Sequence, residues 1–313
     1  MQNQAATVVV LGTGGTIAGR SANASDNVGY TAGQVGVTQL LQAVPALAGA
    51  PLESEQVAQL DSKDMTHAVW RDLAARCAHH LARAEVSGVV VTHGTDTLEE
   101  TAWFLQRVLA PAKPLVMTAA MRPATALQAD GPQNLLDAVA VARHAGARGV
   151  VAVLDGRVHG ARDVRKVHPY RIDAFDSGDA GAIAAIEEGR LRCFRPWPEG
   201  AALGLERVPA DGSAWPVVEI VTSHAGARGA AVQALCDSGA HGLVVACTGN
   251  GTVHRELEAA LVTAQERGVR VLRSTRTRAG RVIGVAGDAL PSAEDLTPEK
   301  ARVELMLSLL SRP

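Results

Sequence analysis

Four short apolar runs recur in the first half of the chain, each bounded by turn residues: TVVVL (7–11), GVVVTHG (88–94), PLVMT (114–118) and GVVAVLD (149–155). Their apolar residues are consecutive and do not alternate with polar ones, so both faces of such strands are buried, as in a parallel sheet. Between the runs the period changes. Leu98, Ala102, Leu105 and Leu109 share one helical stripe, and Trp70, Leu73, Cys77 and Leu81 share another upstream. Strand–helix alternation of this kind predicts a doubly wound α/β domain.

The pattern breaks between about residues 191 and 214, where CFRPWPEGAALGLERVPADGSAWP is rich in Pro and Gly and has little periodicity. Alternation resumes with VVEIVT (217–222), GLVVAC (242–247) and VRVLRS (269–274). The expected fold class is therefore α/β, with two parallel-sheet domains. A larger N-terminal domain is expected over 1–190, a linker over 191–214, and a smaller C-terminal domain over 215–313. No solenoid-type repeat is present.

Composition narrows the function. The chain has 313 residues, enough for a substantial core. Although 47% are hydrophobic, no apolar run approaches the roughly 18 residues needed to cross a bilayer. The opening MQNQAATVVV lacks the basic and long apolar segments of a secretory leader. The expectation is a soluble cytoplasmic protein, or a periplasmic one if a leader was removed. A net charge of −2 and 3% aromatics offer nucleic acid neither a basic face nor a stacking platform. Cys77, Cys193, Cys236 and Cys247 are scattered with no C-x-x-C, which reads as reduced, structural thiols.

Ligands of parallel α/β sheets bind at the carboxyl ends of the strands, so polar residues there are the first candidates. The first strand runs into Gly12-Thr13-Gly14-Gly15-Thr16. A dinucleotide fingerprint would need glycine where Ile17 stands, and a P-loop would need a lysine that this turn lacks. A second strand ends in THGTDTLEET (92–101), where Asp96 or Thr97 reads equally well as a helix cap, with Glu99 and Glu100 suiting the helix's positive end. A third cluster, LDSKDMT (60–66), offers Ser62 and Asp64, again as site residues or as caps. HGARDVRK (159–166) reads mainly as a solvated basic loop, with Arg162 and Arg165 in solvent. Together these stretches supply two threonine hydroxyls, an aspartate and a lysine near one sheet edge. A threonine alcohol becomes a useful nucleophile once something accepts its proton, and backbone N–H groups of a glycine turn can hold a developing oxyanion. The chemistry suggested is acyl transfer.

TGGTIAG (13–19), YTAGQVGVTQLLQAVPAL (30–47), DSKDM (61–65), THGTDTLEETAWFL (92–105), MRPATALQADGPQNLLDAV (121–139), RDVRK (162–166) and GNGT (249–252) resemble the bacterial L-asparaginase (asparaginase/glutaminase) family, whose nucleophile is a threonine. The resemblance runs from about residue 7 to 275, and TPEKARVELML (297–307) also fits. It implies two α/β domains, assembly as a dimer of intimate dimers, and hydrolysis of L-asparagine, and of L-glutamine to varying degrees, to the acid and ammonia. No metal or cofactor is implied, and the partner is a small amino-acid amide, with neither nucleic acid nor membrane involved. By resemblance Thr16 attacks and forms an acyl-enzyme, and Tyr30 assists it from the flexible segment RSANASDNVGYTAG (20–33). Thr95 works with Lys166 and Asp96, Asp96 also receives the substrate's α-ammonium, and Ser62 contacts its α-carboxylate. Ala120 is expected beside the scissile amide through its backbone, or as small core filler.

Two departures stand out. Lys63 occupies a substrate-side position where secreted high-affinity members carry Gln or Glu. Pointing inward it would repel the α-ammonium by roughly 1 to 4 kcal/mol; snorkelling outward it would not. In the C-terminal domain Thr252 stands where relatives carry asparagine or serine. The segment RSTRTRAGRVIGVAGDALPSAED (273–295), with Arg276, Arg278 and Arg281, looks shortened and offers no glutamate matching the acid that supports the tyrosine from a partner subunit. Two other readings remain open at this stage: an amide-cleaving subunit of a tRNA-linked amidotransferase, and an amino-acid-binding module without catalysis.

Overall fold

The computed structural model describes residues 6–277 and 279–310. Contacts divide the chain into two units, Met1–Leu205 and Glu206–Pro313.

In the first unit the predicted strands form β1 (Thr7–Gly14), β3 (Val86–Thr92), β4 (Pro114–Thr118) and β5 (Gly149–Leu154), and these pair in parallel in the order β1-β3-β4-β5. Parallel β2 (Leu52–Leu60) flanks β1 on the other side. Its sequence, LESEQVAQL, is polar because it forms the sheet edge, with charged side chains in water. Val8, Val10, Val90, Val116 and Val151 point to one face, where α1 (Val37–Gln42) and α4 (Gly131–Arg143) pack. The opposite face is covered by α2 (His67–Leu81) and α3 (Leu98–Leu109). Continuous apolar strands are the consequence of covering both faces.

The larger sheet is mixed, where a wholly parallel one was expected. Strands β6 (Arg157–Gly160), β9 (Ala184–Glu187) and β10 (Arg190–Cys193) extend it antiparallel beyond β5. Two-residue turns make the reversals: Asp155-Gly156 and Glu188-Gly189 both have positive φ at each residue, the geometry of type I′ hairpins. Two short strands, β7 (Arg165–Lys166) and β8 (Phe175–Asp176), pair separately. The basic stretch 159–166 thus begins inside a strand, with His159 and Gly160 buried, and is not wholly a solvated loop. The expected linker also begins inside a hairpin, and the Leu203 and Gly204 N–H groups donate to the carbonyls of Arg107 and Val108.

The second unit has a three-stranded parallel sheet, β11-β12-β13 (Val218–Thr222, Gly242–Cys247, Arg270–Thr275). Helices α5 (Ala230–Asp237) and α6 (Arg255–Glu266) share a core with it, and α7 (Pro298–Leu310) packs against all three strands. Thr252 pairs locally with Thr248, their hydroxyl oxygens 2.8 Å apart. Arg278 lies outside the described residues.

The order β2-β1-β3-β4-β5 places a topological switch between β1 and β3, because the chain leaves β1 for β2 on one side and returns to β3 on the other. The crevice at the carboxyl ends of those two strands is where such folds bind ligands.

Candidate active site

Both threonine motifs meet in that crevice. Thr13 Oγ1 donates to the Thr92 carbonyl at 2.9 Å, tying the two strand ends together. Beyond them the chains come into backbone contact at glycines. Gly15, at φ 80 and ψ −173, sits in a region essentially closed to other residues. A Cβ there would lie 2.4 Å from Gly94 Cα, and a Cβ on Gly94 would lie 2.5 Å from Ser62 Oγ. The glycines of these two loops are thus required by close approach, and they bring Thr16, Thr95 and Ser62 to one place.

Thr16 opens a single 3-10 turn and is buried. Its hydroxyl is 2.6 Å from the Tyr30 hydroxyl. Tyr30 closes a loop whose base is an antiparallel bridge between Arg20 and Thr31. That loop is docked: Ser21 N–H donates to Thr125 Oγ1 at 2.9 Å, and Leu127 N–H donates to the Ala24 carbonyl at 3.2 Å. The segment beneath it is held by Asp130, whose carboxylate accepts the Met121 and Arg122 N–H groups, both at 2.9 Å. Burial pushes the Asp130 carboxyl above its ordinary range despite those two donors. Ala120, in the same segment, is fully buried.

Around the second threonine, Lys166 Nζ donates to Thr95 Oγ1 at 2.9 Å and to Asp96 Oδ1 at 2.5 Å. Thr95 is buried, Lys166 mostly buried and Asp96 half-exposed, so the aspartate reaches toward open space while its ammonium partner sits behind it. Ser62 Oγ accepts the Asp96 N–H at 3.2 Å, leaving its own proton to donate, and the Ser62 carbonyl accepts from Thr97 Oγ1 at 2.8 Å. Neither Asp96 nor Thr97 caps α3 through its side chain: Asp96 is turned to Lys166 and Thr97 to Ser62. Helix α2 is capped by Thr66, whose hydroxyl accepts the Val69 N–H, and not by Ser62 or Asp64. The capping alternatives for these site residues therefore fall away.

Lys63 turns outward. Its Nζ lies 2.8 Å from Asp61 Oδ2, and its side chain is 63% exposed. The Asp61 carboxylate holds the ammonium above its ordinary range, with smaller contributions from Asp64 and Asp96.

One buried group went unnoticed in the sequence except as a strand end. His93 is wholly enclosed, with Nδ1 2.7 Å from the Gly94 carbonyl and Nε2 3.1 Å from Thr101 Oγ1. Trp70 Nε1 donates to the same Thr101 oxygen at 2.8 Å. Burial pushes the imidazole down to about 4, so it is neutral at pH 7. Among the described residues no cluster of three or more His, Cys, Asp or Glu could hold a metal ion. No described helix is long and apolar enough to cross a membrane.

The arrangement presents two hydroxyls, each in contact with a proton-transfer partner, beside a carboxylate and a free serine proton. Comparison with known proteins gives the family. Residues 7–199 match the family model "Asparaginase, N-terminal" and residues 217–312 match "Glutaminase/Asparaginase C-terminal domain". The chain is 37% identical to the glutaminase-asparaginase of Pseudomonas fluorescens biotype A, over 97% of this chain and 86% of that protein. It is also 37% identical to L-asparaginase 2 of Escherichia coli K12, over 96% and 88%. The crystal structure of a probable cytoplasmic L-asparaginase from Campylobacter jejuni superposes with a TM-score of 0.91 at 38% identity, covering 98% of this chain and 97% of that one. With both domain models matched in order, the chain belongs to the asparaginase family.

Proposed function

We propose that this protein is an amidohydrolase that converts L-asparagine, and also L-glutamine, with water to the acid and ammonia through an acyl-enzyme on Thr16. One observation carries the reading: Thr16–Tyr30 and Thr95–Lys166–Asp96, from distant parts of the sequence, adjoin through the Gly15–Gly94 contact at the sheet's switch point. The names of the relatives point the same way.

The substrate's ionic groups find complements here. Half-exposed Asp96 takes the α-ammonium, and the free Ser62 hydroxyl donates to the α-carboxylate. Thr16 Oγ adds to the side-chain amide carbon, with Tyr30 the oxygen nearest its proton. That proton ends on the amide nitrogen, which departs as ammonia as the C–N bond breaks. Water then adds to the ester, releasing the acid and restoring the Thr16 hydroxyl. Because Lys166 donates to Thr95 Oγ1, the Thr95 proton is directed away from the lysine, toward the reacting groups. Backbone N–H groups of the two glycine loops serve the oxyanion. We assign the work to a cytoplasmic homo-oligomer, a dimer of intimate dimers, with residues 1–190 as the catalytic domain. The Campylobacter relative, a probable cytoplasmic L-asparaginase, supports that location.

Ammonia release from free asparagine tests the proposal, with Thr16→Ala and Thr95→Val as controls. Release abolished in both variants is the expected result. Tight asparagine binding with no release by the native protein would refute it.

A further inference from the structure

We infer that the cavity between α4 and the Asp155-Gly156 and Glu188-Gly189 turns is a binding site for an aliphatic polyamine. Binding there does not depend on the function proposed above, and its test reads binding and not turnover.

Helix α4 carries two stripes. Leu135, Ala138, Val139 and Ala142 are buried in the core of the larger unit. Asp130, Gln133, Asn134, Asp137 and Ala140, which recur at helical spacing, form a second stripe that lines the cavity. Opposite that stripe stand the two hairpin turns. They adjoin because β6 pairs with β9, and the Ile186 N–H donates to the Gly156 carbonyl at 2.8 Å. The Asp155 N–H donates to Asn134 Oδ1 at 3.0 Å, which fastens the first turn to the helix. The cavity measures about 680 Å³, a usual size for a small-ligand site.

Its charge is of one sign. Asp130, Asp137, Asp155 and Glu188 contribute four carboxylates, and no Lys, Arg or His lines the cavity. Asp137 decides what the ligand must supply. It is only 3% exposed, yet no cation pairs with it among the described residues. The Gln133 amide donates to its Oδ1 at 2.9 Å, and Oδ2 has no hydrogen-bond partner among the described residues. Burial pushes this carboxyl above its ordinary range, opposed only by that amide. A buried carboxylate without counter-charge is unfavourable until a cation reaches it, and the cavity is the route by which one can. Asp155 and Glu188 are exposed at positive φ, and neither forms an ion pair among the described residues.

The distribution of the carboxylates selects the kind of cation. Among the described residues no three His, Cys, Asp or Glu groups converge closely enough to hold one metal ion. Asp130 and Asp137 are two helical turns apart, about 10 Å along α4. A cation that serves carboxylates so spaced must carry separated charges. Leu136, Ala140, Ile172 and Ile186 put apolar surface on the same wall. Ammonium groups joined by methylenes match both features, with charge against the carboxylates and hydrocarbon against the apolar wall.

Isothermal titration calorimetry with spermidine as the probe, in about 0.15 M salt, tests the site. It compares native protein with Asp137→Asn and with the double variant Asp155→Asn, Glu188→Gln, and thermal melting checks that each is folded. An asparagine side chain at 137 can still accept from Gln133, and at 155 it tolerates the positive φ. We expect saturable binding of one spermidine per chain, weakened at least about tenfold in Asp137→Asn. The double variant removes exposed carboxylates and should weaken binding about three- to tenfold, which answers the question even if Asp137→Asn fails to fold. Triethylene glycol, uncharged and of similar length, should not bind, and magnesium chloride at equal ionic strength should not displace spermidine. Absence of saturable binding, native affinity in either variant, or displacement by magnesium would overturn the inference.

Discussion

Replacing Gly15 by alanine probes the contact that joins the two threonine loops. Two costs add. At φ 80 and ψ −173 an L-residue carries of order 1–3 kcal/mol of backbone strain. The new Cβ would also stand 2.4 Å from both the Cα and N of Gly94, atoms of another loop's backbone that cannot rotate aside. Relieving that overlap moves one loop by about 1 Å, and displacement on this scale costs roughly 100-fold in rate. The expected outcome is a destabilisation of about 2–4 kcal/mol, with overpacking included. At ~2–4 °C per kcal/mol this lowers the melting temperature by several degrees. Activity, measured as ammonia release below the melting transition, should fall at least about 100-fold. Gly146→Ala separates the two costs: its φ is 87, yet a Cβ there meets nothing within 4 Å. That control should lose about 1 kcal/mol and no activity. A Gly15→Ala protein with native melting and native rate would refute the claim that the loops are locked by contact.

Further outcomes follow from the same geometry. Tyr30→Phe deletes the hydroxyl 2.6 Å from Thr16 Oγ and should lower kcat by about 10²–10⁴ while melting stays unchanged. Lys63→Gln should alter KM for asparagine by less than about threefold, because the lysine points outward to Asp61; a tenfold drop in KM would show that it faces the substrate. Acid stability reports on His93. Its folded value, about 4, lies below the ordinary 6.5, so between these values the unfolded chain binds the extra proton and stability falls as pH falls. The loss approaches about 3 kcal/mol below pH 4, and denaturant midpoints at pH 7 and 4 should show a smaller drop in His93→Asn than in the native protein.

The parallel strands were legible because both of their faces are buried, which makes them continuous apolar runs. The edge strand Leu52–Leu60 was not, since a solvated edge has no such run. The antiparallel extension was missed although Asp155-Gly156 is a strong hairpin signal, because the strands it joins to the sheet are four residues or shorter beyond β5. Thr16, Thr95 and Lys166 could be named from motifs, but which hydroxyl faces which partner depends on chain segments far apart in sequence. The same holds for Asp96 and Thr97, whose local sequence allowed a cap, and for Lys63, whose direction is set by Asp61. His93 gave no local sign: its partners are the next residue's carbonyl and a threonine in the first turn of the following helix, and only the packed structure shows the ring enclosed.

Peptide-level mass spectrometry of the native protein, quenched during turnover of asparagine, tests most directly whether Thr16 carries the acyl group. An adduct of asparagine less ammonia is expected on the peptide containing Thr16, and none in Thr16→Ala. An adduct on a peptide that lacks Thr16, or native turnover by Thr16→Ala, would contradict that assignment.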